Sequence, residues 1–123
     1  MYKYQPKNKE ELNEAIKKEI YENQGTPDNP NWKADLNCID TSAITDMSYL
    51  FFYSQFNGDI SKWDVSNVED TKEMFARSEF NNDISGWNVG NVIDMSYMFA
   101  YSKFNRDISA FIYSTCYVYR SVM

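Results

Sequence analysis

The sequence of 123 residues contains no histidine, two cysteines and four glycines. Without histidine it lacks the commonest general base and the commonest metal ligand of proteins. Four glycines leave no glycine-rich loop that could hold a phosphate. Cys38 and Cys116 are too few for a zinc site or a disulfide framework. We therefore expect no cofactor and no enzymatic activity.

Basic residues and long apolar runs are also scarce. There are 12 lysines and arginines against 18 acidic residues, and the formal net charge is −6. A nucleic-acid binder needs a basic face, so we expect no nucleic-acid partner. A membrane span needs roughly 20 apolar residues, and no segment comes near that length, so we expect no membrane insertion. Residues 1–7 also lack the apolar run of a signal peptide.

What the sequence does contain is a repeat of 24 residues. Residues 56–79 and 80–103 are identical at 14 of 24 positions. A weaker copy covers residues 32–55, with Trp32 in the place of Phe56, and a partial copy covers residues 104–111. The recurring residues include Phe56, Phe80 and Phe104; Asp59, Asp83 and Asp107; Trp63 and Trp87; and Phe51, Phe75 and Phe99. Such a period predicts stacked units whose aromatic residues form buried columns.

The pattern within one unit predicts two elements. Trp63 and Val65 alternate with polar residues, which is typical of a short strand. Val68, Met74 and Phe75 have helical spacing, and Asp70 before them is a suitable N-cap. The predicted fold class is therefore an α/β repeat: a short leucine-rich-repeat-like solenoid of strand–helix units with parallel strands.

The two ends differ from the repeats. Residues 1–31 form a predicted N-terminal cap with a helix at about 9–23, because Asn8 can cap it and Leu12, Ala15 and Ile16 lie on one helical face. Residues 32–111 form the repeat array. Residues 112–123 lose the pattern, and a closing strand and the unrelated tail of a shortened array are equally compatible with them. We hypothesise a homodimer through this C-terminal end.

One stretch of the repeat carries a family resemblance. Residues 56–68 (FNGDISKWDVSNV) and 94–99 (DMSYMF) resemble the BspA-like bacterial surface-protein repeat, a leucine-rich-repeat variant, and the resemblance covers residues 32–111. It implies a bacterial cell-surface location and a non-enzymatic role in adhesion or in binding a protein or cell-surface partner. The alternatives are a truncated repeat fragment without independent activity and an enzyme.

Two sets of polar residues are candidates for a site. The recurring aspartates, at 35, 59, 83 and 107 and at 46, 70 and 94, are interpreted as turn and cap residues, with a cation between units as the alternative. The outward positions of the predicted strands form the candidate partner-binding face. Its members are Asp40, Lys62, Asp64, Ser66 and Asn88.

Overall fold

A computed structural model describes residues 1–22, 33–109 and 111. Within these ranges it has one α-helix, α1 (Lys9–Glu22), and four isolated parallel β-bridges. The bridges pair Tyr4 with Ile39, Asp35 with Asp59, Asp46 with Asp70, and Asp70 with Asp94. None of them extends into a strand. The predicted α/β solenoid of strand–helix units with parallel strands is therefore wrong, although equivalent residues of successive repeats do lie next to each other.

The N-terminal helix begins as its sequence predicts. The Asn8 side chain accepts a hydrogen bond from the Glu11 N–H at 2.9 Å, and Glu10 and Glu11 lie in the first turn, where the helix dipole favours negative charge. Leu12, Ala15 and Ile16 are buried in the same hydrophobic core as the repeats. The helix thus covers the apolar side of the first unit.

A salt-bridge cluster fixes the start of the chain against the helix and the first repeat. Lys3 Nζ lies 2.8 Å from Glu19 and 2.8 Å from Glu22, and these hydrogen bonds raise the pKa of Lys3. The Lys3 N–H donates to Cys38 O at 2.8 Å, and the Asp40 N–H donates to Tyr4 O at 2.9 Å. Residues 3 and 4 therefore pair with the first repeat through their backbone.

The strand predicted at Trp63 and Val65 does not form because the Trp63 N–H and the Val65 carbonyl are used in turns. Trp63 N donates to Ile60 O at 3.1 Å, and Val68 N donates to Val65 O at 3.0 Å. The indole nitrogens provide contacts between repeats instead. Trp63 Nε1 donates to Leu36 O at 2.9 Å, and Trp87 Nε1 donates to Ile60 O at 3.1 Å. Burying a tryptophan requires such a partner for its N–H.

The predicted helices of the repeats are also absent, because alternate N–H groups point to the next repeat. A helix would send each N–H to the carbonyl four residues back. Here Tyr49, Phe51 and Tyr53 donate to Lys72 O, Met74 O and Ala76 O, at 2.9, 2.8 and 3.0 Å. The intervening Leu50, Phe52 and Ser54 donate to carbonyls three residues back. Glu73, Phe75 and Arg77 repeat this pattern towards Ser96, Met98 and Ala100.

Within the core, aromatic residues of successive repeats form stacked columns, as the period predicts. Phe51, Phe75 and Phe99 stack with 5.6 Å between successive ring centroids. A second column contains Phe56, Phe80 and Phe104 at 6.1 Å, and Trp63 and Trp87 stack at 6.5 Å. All of these rings are at most 5% exposed.

Some predictions fall outside the described residues. These are the first member of one column, Trp32, the end of the predicted cap after residue 22, and the divergent tail at 112–123 with the homodimer proposed through it. The boundaries of the three predicted segments stay predictions.

Candidate binding surface

The predicted partner-binding face is built largely from turn-forming residues. Asp64 Oδ1 accepts from Ser66 N at 3.0 Å and from Ser66 Oγ at 2.6 Å. Asp40 accepts from Ser42 N, and Asn88 accepts from Gly90 N, both at 3.0 Å. Lys62, Asp64 and Asn88 are exposed, whereas Asp40 and Ser66 are half-buried. The structure brings these residues together only as equivalent turns of successive repeats.

The recurring aspartates of both ladders accept hydrogen bonds in the same way. Each accepts from the N–H two residues later, at 2.8 to 2.9 Å; the acceptors are Asp35, Asp46, Asp59, Asp70, Asp83, Asp94 and Asp107. The N–H and hydroxyl of Ser61 lower the pKa of the Asp59 carboxyl, and the hydroxyl and N–H of Ser96 lower the pKa of the Asp94 carboxyl. This is the geometry of turn-forming aspartate.

The cation alternative gains no support from the surroundings of these carboxylates. Asp59 and Asp83 line a concavity of about 370 Å³, but Lys33 lines it too. Across the described ranges, no three histidine, cysteine, aspartate or glutamate side chains come together as a metal site would need.

A different surface stands out by its backbone conformation. Among residues 1–22, 33–109 and 111, six residues other than glycine have φ between 49° and 60°, a left-handed region that is rare for such residues. They recur at the repeat step in two rows: Tyr49, Glu73 and Tyr97, and Tyr53, Arg77 and Tyr101. We call these six residues the tyrosine face.

The four tyrosines of this face are exposed. Tyr101 is 84% exposed, Tyr53 64%, Tyr97 53% and Tyr49 45%. Between them, Phe51 and its equivalents point into the core. Hydrogen bonds to the next repeat fix the backbone of this segment. On it, Phe51 points inward, and Tyr49 and Tyr53, two positions away on either side, point outward.

The two charged residues occupy the middle repeat of the face. The Arg77 guanidinium lies between two rings, with its Cζ 5.5 Å from the Tyr53 centroid and 4.7 Å from the Tyr101 centroid. Stacking of this kind holds the planar guanidinium while leaving its edge N–H groups available. A hydrogen bond between Tyr49 and the Glu73 carboxylate raises the pKa of the Tyr49 hydroxyl.

A shallow concavity lies between the two rows. Its volume is about 250 Å³, and it is lined by Glu73, Ala76, Arg77, Tyr97, Ala100 and Tyr101. In the first repeat, Phe52 occupies the position equivalent to Ala76 and Ala100. Its ring packs edge-on against the rings of Tyr49 and Tyr53, with centroid distances of 5.8 and 4.9 Å. The alanines therefore open a space that phenylalanine fills one repeat earlier.

Sequence reasoning missed this face, although a signal was present. Tyr49 and Tyr97 are 48 residues apart, two repeat steps, and so are Tyr53 and Tyr101. Large aromatic residues at the outer positions of a predicted helix were a departure from the usual polar outer face.

Comparisons with known proteins identify a family. A family model described as "Mycoplasma protein of unknown function, DUF285" matches residues 12–122. No curated protein and no solved structure matches the chain. In the described ranges, no helix has the length and apolar character needed to cross a membrane. Since the match covers nearly the whole chain, the protein belongs to this Mycoplasma family of unknown function.

Proposed function

We propose that this chain is a non-enzymatic binding module, of the kind used by BspA-like bacterial surface repeats, and that it binds its partner through the tyrosine face. The observation that carries the proposal is the stacking of Arg77 between two exposed tyrosines. Tyrosine and arginine are the residues, with tryptophan, that dominate binding energy at interfaces.

The rigidity of the face supports the same role. Each of its six residues has a left-handed backbone, and Tyr49, Tyr53, Glu73 and Arg77 also donate their N–H groups to the next repeat. Tyrosine has few rotatable bonds, so a tyrosine on a fixed backbone loses little entropy on binding. Partner binding would therefore be favoured without a large ordering cost.

The non-enzymatic part of the proposal is supported by how the acidic residues are used. A catalytic carboxylate pair needs two different environments. Here Asp59, Asp83 and Asp107 occupy the same turn in successive repeats and make the same hydrogen bond.

The proposal can be tested by adhesion to cells. The fluorescently labelled chain is applied to cultured epithelial cells and bound protein is measured by flow cytometry. We expect the double variant Tyr53→Ala/Tyr101→Ala to lose about tenfold in apparent affinity, which corresponds to about 1.4 kcal/mol. The exposed Tyr21 on α1 offers a matched control, and Tyr21→Ala should bind like the wild type.

A second variant distinguishes the two candidate faces. Lys62→Glu/Asn88→Lys reverses charge on the face first predicted from the sequence and leaves the tyrosine face intact. We expect it to bind normally. If this variant loses binding while Tyr53→Ala/Tyr101→Ala keeps it, the tyrosine face is the wrong surface.

A further inference from the structure

The concavity of the tyrosine face has the size of a site for one compact chemical unit. Its volume of about 250 Å³ lies below the roughly 300–1,000 Å³ of pockets for drug-sized ligands. Two small residues, Ala76 and Ala100, and two aromatic residues, Tyr97 and Tyr101, line it. A folded domain could touch its rim, but only a small group of a larger ligand would enter.

The charges around the concavity indicate a neutral ligand. Glu73 and Arg77 both line it, and no ion pair of the described residues joins them. A cation would be attracted by the carboxylate and repelled by the guanidinium, and an anion the reverse, so neither net charge is favoured. Together the two groups still offer hydrogen-bond donors, from arginine, and acceptors, from glutamate.

The exposed rings add an apolar requirement. One side of the Tyr101 ring faces the Arg77 guanidinium, yet Tyr101 is 84% exposed, so most of its surface is open. Tyrosine presents an apolar ring together with a hydroxyl that donates and accepts. The ligand should therefore have an apolar face for the ring and a rim of neutral groups that both donate and accept hydrogen bonds.

A sugar ring meets these conditions, because its C–H groups form an apolar face and its hydroxyls form a neutral polar rim. We propose that the concavity between Tyr97 and Tyr101 binds one sugar ring of an uncharged glycan. Tyr97 and Tyr101 contact the C–H face, while Arg77 donates to the sugar hydroxyls and Glu73 accepts from them. This inference rests on the proposed function and names its ligand class.

The experiment uses an array of neutral oligosaccharides that end in galactose, glucose, mannose, fucose or N-acetylglucosamine. Any glycan that binds is then titrated, as its methyl glycoside, into isotope-labelled protein and followed by NMR. We expect at least one to bind with amide shifts around residues 97–101. We expect Tyr101→Ala to weaken it by about tenfold. Tyr101→Phe, which keeps the ring, should stay within about threefold of the wild type.

Ala100→Phe is the sharpest variant, because it copies Phe52 of the first repeat and fills the concavity without removing any proposed contact residue. We expect it to abolish glycan binding, whereas Tyr21→Ala leaves binding unchanged. Absence of binding to every neutral glycan, or a preference for sialylated or sulfated ones, overturns the inference.

The cell assay separates failure of this inference from failure of the proposed function. If adhesion depends on Tyr53 and Tyr101 but persists in Ala100→Phe and on enzymatically deglycosylated cells, the ligand is not a glycan and the glycan inference is wrong. In that case the tyrosine face still binds a partner. If adhesion ignores the tyrosine variants altogether, the proposed function itself is wrong.

Discussion

The inner aromatic columns and the tyrosine face follow one period but differ in what the repeats place there. Phe51, Phe75 and Phe99 are the same residue in all three repeats, and each is at most 3% exposed. Two positions before each of them, the outer side carries Tyr49, Glu73 or Tyr97. The backbone accepts glutamate as well as tyrosine, so folding does not require the exposed tyrosines. The inner rings stabilise the stack, and the outer rings are left for binding.

The variant with the largest expected effect on this contrast removes one inner ring. Phe75 is fully buried. Its ring centroid lies 5.6 Å from those of Phe51 and Phe99 and 4.5 Å from that of Phe80. We expect Phe75→Ala to lower the free energy of unfolding by about 3–5 kcal/mol, because it removes apolar contacts and leaves a cavity. Urea unfolding followed by tryptophan fluorescence measures the loss.

The matched outer variant is Tyr101→Ala. We expect it to change the free energy of unfolding by no more than about 0.5 kcal/mol. Similar losses at both positions would contradict the division between inner and outer rings. If Phe75→Ala is too unstable to purify, Phe75→Leu keeps most of the volume and should cost about 1–2 kcal/mol.

The columns could be predicted from the sequence because a period fixes which residues become neighbours. Helix α1 could be predicted as well, since Asn8 caps it and Leu12, Ala15 and Ile16 share one face. The strand–helix unit could not. The spacing of apolar residues predicts which side chains are buried, but it does not predict which carbonyls the backbone N–H groups bind. Val68, Met74 and Phe75 have helical spacing, yet the buried Phe75 donates its N–H to Met98 O in the next repeat.

The candidate site was predictable only in part. Alternation around Trp63 correctly placed Lys62 and Asp64 outside. The tyrosine face depends on left-handed backbone at residues other than glycine, for which no residue type is a reliable signal. The predicted helices concealed it, because a helix excludes such a conformation.

A second, smaller test separates stability from binding at one position. Tyr97 has φ of 54°, a conformation that costs about 1–2 kcal/mol for a residue with a Cβ and that glycine adopts freely. Part of this gain is offset by the larger backbone entropy that glycine loses on folding. We expect Tyr97→Gly to raise the free energy of unfolding by about 0.5 kcal/mol and, at the same time, to weaken glycan binding.

Tyr97→Ala is the control, because it removes the ring but keeps the Cβ and therefore the strain. We expect it to weaken binding without the gain in stability. Urea unfolding and the glycan titration are measured on both variants. A loss of stability in Tyr97→Gly would show that the exposed ring supports the fold, and the contrast between the two regions would fail.

The smallest effect concerns pH and compares a turn with its counterpart one repeat later. Hydrogen bonds from the Ser66 hydroxyl and N–H lower the pKa of the Asp64 carboxyl in the folded chain. A carboxyl of lowered pKa stabilises the fold above its unfolded value of about 3.9, and this contribution is lost as the pH falls through the folded value. Asn88 forms the equivalent turn without a titrating group.

Asp64→Asn should therefore keep the turn and remove its acid sensitivity. We expect the fall in Tm between pH 7 and pH 3 to shrink by about 1–2 °C, as a few tenths of a kcal/mol would produce at an exposed site. Asn88→Asp should increase the fall in Tm between pH 7 and pH 3, because it introduces a titrating carboxylate into the third repeat. Phe75→Leu, which acts through the core, should shift Tm by a similar amount at both pH values. Acid sensitivity that is unchanged in both turn variants would mean that these outer turns are held by their backbone alone.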